Sequence, residues 1–545
     1  MKKIIFLISL ISAGIYSCSD KNGDIGLEVN QYQIPVLINK ENNPVLQMVL
    51  MPADTSEIKI KEVTASLEGT TDLNDIQAVR LYITEKGKSF NTRKQFGTDQ
   101  HPFEEITFKD LHVINDTMSL WISVELNDKA NLLNKISAKY GSVKTDRGKL
   151  VQNDSIITKT LRIGIALRQH YDDSVHTYRI PGLTTTGNGT LLAIYDVRRN
   201  SGRDLQGDID IGLSRSSDGG NTWEPMRIVL DMHKWGGLPE KFNGVSDANI
   251  LVDRATNKIF VAGLWMHGVL DKNGKWIEGL SDTSDAWEHQ WKNKGSQPGF
   301  RVTETSQFLL TSSSDDGLTW SDPSNITTIG KKQEWWLWAP APGHGISLED
   351  GTLVIPTQGR DKSGSPFSNI TWSKDGGTTW HTSAPAYQNT TECMAVQLTD
   401  GRVMLNMRHN QNRNNTSDNN GRAVAITNDL GSTWNEHTTS RRALIEPTCM
   451  GSIHRHEYTE NGEKKSILLF SNPDSKTART HMTIKVSFDD GMTWPLENRL
   501  LLDELKSNGY SCLTSVDENT IGILYEGSQS MLTFEKIPLT ELLSY

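Results

Sequence analysis

An eight-residue phrase, Ser/Thr-x-Asp-x-Gly-x-Thr-Trp, recurs five times in this chain, and recurrence at a period of tens of residues restricts the fold to a repeat architecture. The copies end at Trp223, Trp320, Trp380, Trp434 and Trp494, at intervals of 97, 60, 54 and 60 residues. Short β-rich runs flank them, such as IDIGLSRS before the first and VAIT before the fourth. In each copy an Asp (Asp218, Asp315, Asp375, Asp429 or Asp489) can accept hydrogen bonds from the backbone of its own turn. The Gly two positions on supplies a positive φ without steric cost, and the Trp anchors the hairpin. An interval of 60 residues holds a four-stranded blade with long loops, so 172–540 is predicted to form an all-β, six-bladed β-propeller. The long first interval predicts an insertion from Trp265 to Arg301, a polar surface loop carrying Trp276, Trp287 and Trp291.

Upstream the text changes. Residues 28–158 lack the repeat and alternate as short strands (YQIPVLI, AVRLYIT, SLWISVEL) between polar turns, which predicts a β-sandwich with a helical or irregular stretch near Lys129–Tyr140. Trp121, Tyr82 and Phe108 either fill its core or line a sugar-binding surface; a tethered carbohydrate-binding module would raise local substrate concentration. Lys2 and Lys3 precede an apolar run, Ile4 to Tyr16, too short to span a bilayer. Ile-Tyr-Ser-Cys at 15–18 resembles a bacterial lipobox, although the Tyr fits it imperfectly. The reading is a leader at 1–18 with Cys18 lipidated, a linker at 19–27, and an exported protein in the periplasm, on the outer membrane or at the cell surface, touching membrane only through that anchor; ordinary secretion is the alternative. Without Cys18 the chain keeps Cys393, Cys449 and Cys512, neither a disulfide scaffold nor zinc-site spacing. A net charge of −10 argues against nucleic-acid partners and requires any anionic ligand to be drawn in by a local arginine cluster.

Three arginines occupy separate predicted blades at strand edges: Arg179 in YRIP, Arg408 at the end of GRVMLNMR, and Arg479 ahead of the last repeat. Meeting at the axis they would clamp a carboxylate; singly, each reads as a solvated surface charge. YRIP at 178–181, the run of Asp repeats, TEC at 391–393 followed by DGRVMLNMR, and GYSCLT with ILYE resemble the bacterial exo-sialidases (neuraminidases) over about residues 172–534. That resemblance implies a six-bladed propeller that releases terminal sialic acid from glycoproteins, glycolipids and oligosaccharides. It implies no cofactor and no catalytic metal, with structural calcium left open.

The family's sites carry over where motifs match. The arginine triad falls on Arg179, Arg408 and Arg479, the general base on Glu392 in TEC, and the nucleophile on Tyr510 in GYSCLT. The acid/base Asp belongs to YDVRRNSGRDLQGDIDIG, where Asp204 is chosen ahead of Asp208 and Asp210. A fourth arginine matches Arg198, with adjacent Arg199 as competitor, and Asp247 resembles a pocket Asp facing the sugar. Glu526 in LYEG is expected to buttress an Arg or Tyr of the pocket. Without the family, Glu392 reads as a strand-end acid, Tyr510 as a core aromatic and Asp204 as a turn former. The chemistry favours a phenol: sialic acid carries a carboxylate on its anomeric carbon, which would repel an anionic nucleophile, and sialidases use Tyr where other glycosidases use a second carboxylate. The competing readings are a trans-sialidase, making a transfer or anhydro product, and a non-catalytic glycan-binding propeller.

Overall fold

The computed structural model describes residues 25–543 except 152–157, 206, 238, 268–276, 278, 282 and 285–295. Cys18, Trp276, Trp287 and Trp291 therefore lie outside the described residues. The chain divides into two units, Met1–Ile163 and Gly164–Tyr545.

The first unit holds two four-stranded antiparallel sheets. One is ordered Ile25–Asn30, Asn43–Pro52, Met118–Leu126, Ile76–Glu85; the other is Lys149–Val151, Lys139–Thr145, Ile58–Ser66, Glu105–Ile114. Alternation along Ile58–Ser66 buries Ile58, Ile60, Val63 and Ala65 while Lys59 and Lys61 face water, the pattern of a half-buried strand. The irregular stretch expected near Lys129–Tyr140 ends sooner, because Lys135–Ser137 and Lys139–Thr145 are strands and Tyr140 and Val143 turn inward. Trp121, Tyr82 and Phe108 are all buried, and the Trp121 indole donates to Thr84 Oγ1 at 2.9 Å. They belong to the core.

In the second unit the repeat is a turn that closes on itself. In all five copies the Ser or Thr hydroxyl donates to Asp Oδ1 at 2.7–2.8 Å, and the Thr hydroxyl before Trp donates to Asp Oδ2 at 2.5–2.7 Å. Gly220, Gly317, Gly377, Gly431 and Gly491 have φ between 79° and 86°. The residue before each is left-handed too, including Leu430 at 54°, a cost the hydrogen-bonded turn must outweigh. The hydroxyl and backbone donors of Thr319 and Thr379 hold the Asp315 and Asp375 carboxyls down to about 2, so these turns stay ionised to strongly acid pH.

Each repeat joins the third and fourth strands of an antiparallel blade. The first blade is Thr177–Thr185, Leu191–Arg198, Ile209–Ser216 and Arg227–Leu230; the second is Asn243–Val252, Ile259–His267, Gln307–Ser313 and Ser324–Asn325. Further meanders follow in Leu337–Thr382, Thr390–Glu436 and Ser452–Asp503. The last blade, Ser511–Asp517, Thr520–Tyr525 and Leu532–Pro538, lacks a repeat and takes its outer strand from upstream, with Ile165 opposite Phe534. Early and late sequence thus share one sheet, which closes the ring of this all-β propeller. Trp265, expected in the insertion, is instead fully buried within Ile259–His267 among Val245, Val261 and Leu309. The insertion begins after that strand, since an indole of this size is worth more in a blade core than in a polar loop.

Beneath one rim lies a fully buried ion pair. Arg422 Nη1 donates to Glu446 Oε2 at 2.7 Å and to the Cys449 carbonyl at 2.7 Å, and its Nε donates to Asn406 Oδ1 at 2.7 Å. Glu446 Oε1 accepts from the His409 N–H and from Asn412 Nδ2, each at 2.7 Å, so the pair fixes the backbone that follows Arg408. Arg422→Met strands a carboxylate in the interior and should cost about 3–5 kcal/mol. Urea unfolding checks this, and a loss below about 1 kcal/mol would show that the pair is dispensable.

Candidate active site

The inner strands of the blades aim their opening residues at one end of the axis, and irregular backbone re-aims two of them. In Thr177–Thr185 the pairing slips between Arg179 and Gly182, and Ile180 has φ 60°, a genuine outlier for a β-branched residue. In Asn243–Val252 a second slip lies between Ser246 and Asn249, with Asp247 at φ 54°. Such strain persists only where surroundings over-determine it. Around Ile180 they do, because buried Glu526 accepts from the Ile180 N–H at 3.0 Å.

Glu526 also receives the Arg179 guanidinium side-on, Nε at 2.8 Å and Nη2 at 3.1 Å, and the Tyr510 N–H at 3.0 Å. Burial pushes its carboxyl upward, but Arg179 and the two N–H donors outweigh burial and hold it below the usual carboxylate range. The expected buttress therefore serves both an Arg and the Tyr.

Tyr510 is the meeting point. Its hydroxyl donates to Glu392 Oε1, and Arg408 Nη1 donates to the same hydroxyl at 3.0 Å and to Glu392 Oε2. The Arg179 guanidinium carbon lies 5.2 Å from the ring centroid and that of Arg479 lies 5.5 Å away. Three arginines from separate blades thus surround one phenol. Arg479 sits in the segment between strands Glu463–Pro473 and Met482–Ser487, with Nη1 on the Asn508 carbonyl at 2.8 Å. Next to it Gly509 has φ 83°, and a Cβ there would lie 2.8 Å from Pro473 Cγ and 3.2 Å from Arg479 Cβ. Only glycine lets the turn before Tyr510 pass so close. Burial first, then the Glu392 carboxylate, pushes the Tyr510 phenol well above its ordinary value.

Opposite stand the acids. Asp204, with its side chain 55% exposed, accepts from Arg198 Nη1 at 2.5 Å and lies 3.8 Å from Arg179 Nη1. Its neighbours Asp208 and Asp210 instead face Arg199, whose Nη2 reaches Asp210 Oδ2 at 2.5 Å. Arg198 and Asp204 therefore join the cluster, and Arg199, Asp208 and Asp210 form a separate one. Burial, reinforced by Asp231, raises the Asp210 carboxyl to about 7. Asp247 accepts from Gln358 Nε2 at 3.3 Å, and burial and then Glu392 raise its carboxyl well above the usual range. Sequence reasoning missed two members, Asp196 and Gln358. Asp196 could have been found: it stands two residues before Arg198, on the same face of one strand.

Among the described residues, Asp231, His233 and Glu240 bring ligand-type atoms within 4.8 Å of one another. His233 there is an exposed imidazole paired with both acids. A cavity of about 460 Å³ opens at the opposite end of the inner strands, lined by Arg254, His344, His454 and Asp517, and contains none of the clustered residues.

Residues 189–523 match the BNR repeat-like domain, and residues 24–119 match the N-terminal domain of BNR-repeat neuraminidase. The chain is 37% identical to a sialidase of Bacteroides fragilis over all of both chains, and 32% identical to a sialidase of Micromonospora viridifaciens over 64% of this chain and 50% of that one. Its structure is similar to that of the Hadza microbial sialidase Hz136, with a TM-score of 0.83 and 36% identity over 94% of this chain and 99% of that one.

The environment of Tyr510 fixes the sign of a pH experiment. Ultraviolet difference titration of wild type against Tyr510→Phe should show no extra phenolate up to about pH 10, the ordinary tyrosine range. In Glu392→Gln, where burial stays but the carboxylate's upward push is gone, Tyr510 should ionise at lower pH than in wild type. A Tyr510 phenolate already present near pH 9 in wild type would contradict the electrostatics described.

Proposed function

The chain belongs to the BNR-repeat neuraminidase family, and on that footing we propose how its own residues perform the sialidase reaction. The protein is an exo-sialidase, a glycoside hydrolase acting on sialylated glycans. The observation that carries the mechanistic proposal is the Tyr510 hydroxyl donating to Glu392 amid three arginines.

In this reading Arg179, Arg408 and Arg479 grip the substrate carboxylate, a charged bidentate acceptor, while Glu526 keeps Arg179 in place. Tyr510 Oη attacks the anomeric carbon while Glu392 takes the phenolic proton, so nucleophilic charge develops only as the bond forms. Asp204 gives its proton to the departing glycosidic oxygen as that bond breaks. Water then attacks the Tyr-linked sugar, Asp204 accepts the water's proton, and Glu392 returns the proton to the phenolate oxygen. Two displacements retain the anomeric configuration. Arg198 holds Asp204 over the site, and Asp247 with Gln358 walls the far side of the ring.

The leader at 1–18 supports export, with Cys18 as the lipid attachment. A periplasmic or cell-surface position would bring the enzyme to extracellular glycans, and the negative net charge supports a reading without nucleic-acid partners.

Two measurements test the mechanism. Tyr510→Phe should keep its melting temperature and lose about a thousandfold or more in kcat/KM on a sialoside; near-normal turnover would remove Tyr510 from the mechanism. Arg179→Ala should weaken a 2,3-unsaturated sialic acid analogue by about 30-fold or more, the loss expected when one partner of a buried charge pair is truncated; an unchanged inhibition constant would count against the clamp. Product analysis of the wild-type enzyme should show free sialic acid, with no 2,7-anhydro sugar and no transfer to added lactose.

A further inference from the structure

Asp196 lies between two of the groups just assigned. It is fully buried near the end of strand Leu191–Arg198, and its Oδ2 accepts from Arg198 Nε at 3.1 Å, Arg198 Nη2 at 2.9 Å and Ser246 Oγ at 2.6 Å. Oδ1 is buried and makes no hydrogen bond. With its other nitrogen, Nη1, Arg198 holds Asp204 Oδ1 at 2.5 Å and the Gly202 carbonyl at 3.1 Å. Ser246 immediately precedes Asp247 at the slipped register of Asn243–Val252. One carboxylate therefore ties the loop that carries Asp204, in the first blade, to the wall that carries Asp247, in the second.

We propose that Asp196 is the positioning residue for the proton-donating step: it turns Arg198 so that a single guanidinium nitrogen faces Asp204, and its negative charge offsets the cation that would otherwise strip Asp204 of its proton. The inference rests on the reading of Asp204 as the acid. The geometry supports both halves. Arg198 is 1% exposed, so it needs a buried partner, and Asp196 occupies the Nε and Nη2 side while leaving Nη1 for Asp204. Charged and titratable groups facing Asp204 include Arg198, Arg179, Asp196 and Asp247, burial raising the carboxyls of both Asp196 and Asp247 while Arg198 opposes it. Removing the Asp196 carboxylate, the partner that Arg198 holds on its Nε and Nη2 side, leaves more of that cation's field to Asp204, which favours the ionised form of Asp204. An acid that ionises at lower pH is lost at lower pH.

The test compares kcat/KM against pH for two substrates, 3′-sialyllactose, whose leaving alcohol needs a proton, and a 4-methylumbelliferyl sialoside, whose leaving phenol needs little help. In Asp196→Asn the alkaline limb for sialyllactose should move down by about one pH unit. The loss on sialyllactose should exceed that on the aryl sialoside by about tenfold or more. An unmoved limb, or equal losses on the two substrates, would overturn the inference. Asp204→Asn is the control for the underlying reading: equal losses on both substrates in that variant would mean that Asp204 is not the acid, whatever Asp196 does. Should Asp196→Asn fail to fold, Asp196→Glu decides, since it keeps the charge and displaces it by one methylene. A selective loss on sialyllactose with the limb in place supports positioning, and wild-type rates or equal losses on both substrates contradict it.

Discussion

The site depends on Glu526, a buried carboxylate that fastens the first blade to the last. It accepts from the Arg179 guanidinium and the strained Ile180 N–H on one side and from the Tyr510 N–H on the other. Ring closure elsewhere is made by strand pairing between Ile165 and Phe534. Glu526 carries that closure to the rim where the chemistry lies, so a clamp residue and the phenol hold a fixed separation although they stand 331 positions apart in the chain. A backbone turn alone could not do this. Left-handed Ile180 is tolerated because its N–H and its neighbour's side chain share one anionic acceptor.

From this anchoring follows the charge arrangement. The chain as a whole is anionic, yet Arg179, Arg198, Arg408 and Arg479 converge on one rim, each against a carboxylate or carbonyl that keeps it ordered. A preorganised cation cluster binds a carboxylate without reorganising, which is where electrostatic catalysis gains most. The phenol suits that setting. It is neutral until Glu392 takes its proton, and its high pKa keeps it so near neutral pH.

Much of this was legible in the sequence, for physical reasons that differ from residue to residue. The five Asp turns could be read because each is local: its donors and acceptors lie within seven residues. Tyr510, Glu392 and Arg408 could be read only through the motifs of a known family, since nothing local says that a Tyr after Gly will meet a Glu 118 positions away. Arg198 and Arg199 are indistinguishable as neighbours, and only strand alternation separates them, one toward Asp204 and the other toward Asp210. Trp265 was misjudged because a polar, Trp-rich stretch follows it, while its own strand pairs with Gln307–Ser313 across the insertion. Asp196 was legible only by strand alternation from Arg198, and the Arg422–Glu446 pair left no local signal because its members stand 24 positions apart. They matter through partners that only the fold supplies.

The central claim is that Tyr510 is the atom donor that joins the sugar. A 2,3-difluorinated sialic acid slows both displacements and lets the linked enzyme accumulate, so intact-protein mass spectrometry followed by peptide mapping tests the claim directly. The account predicts one added fluorosialyl group on the peptide containing Tyr510, and none in Tyr510→Phe. A label on Glu392 or Asp204 instead, or an adduct that persists in Tyr510→Phe, would contradict it.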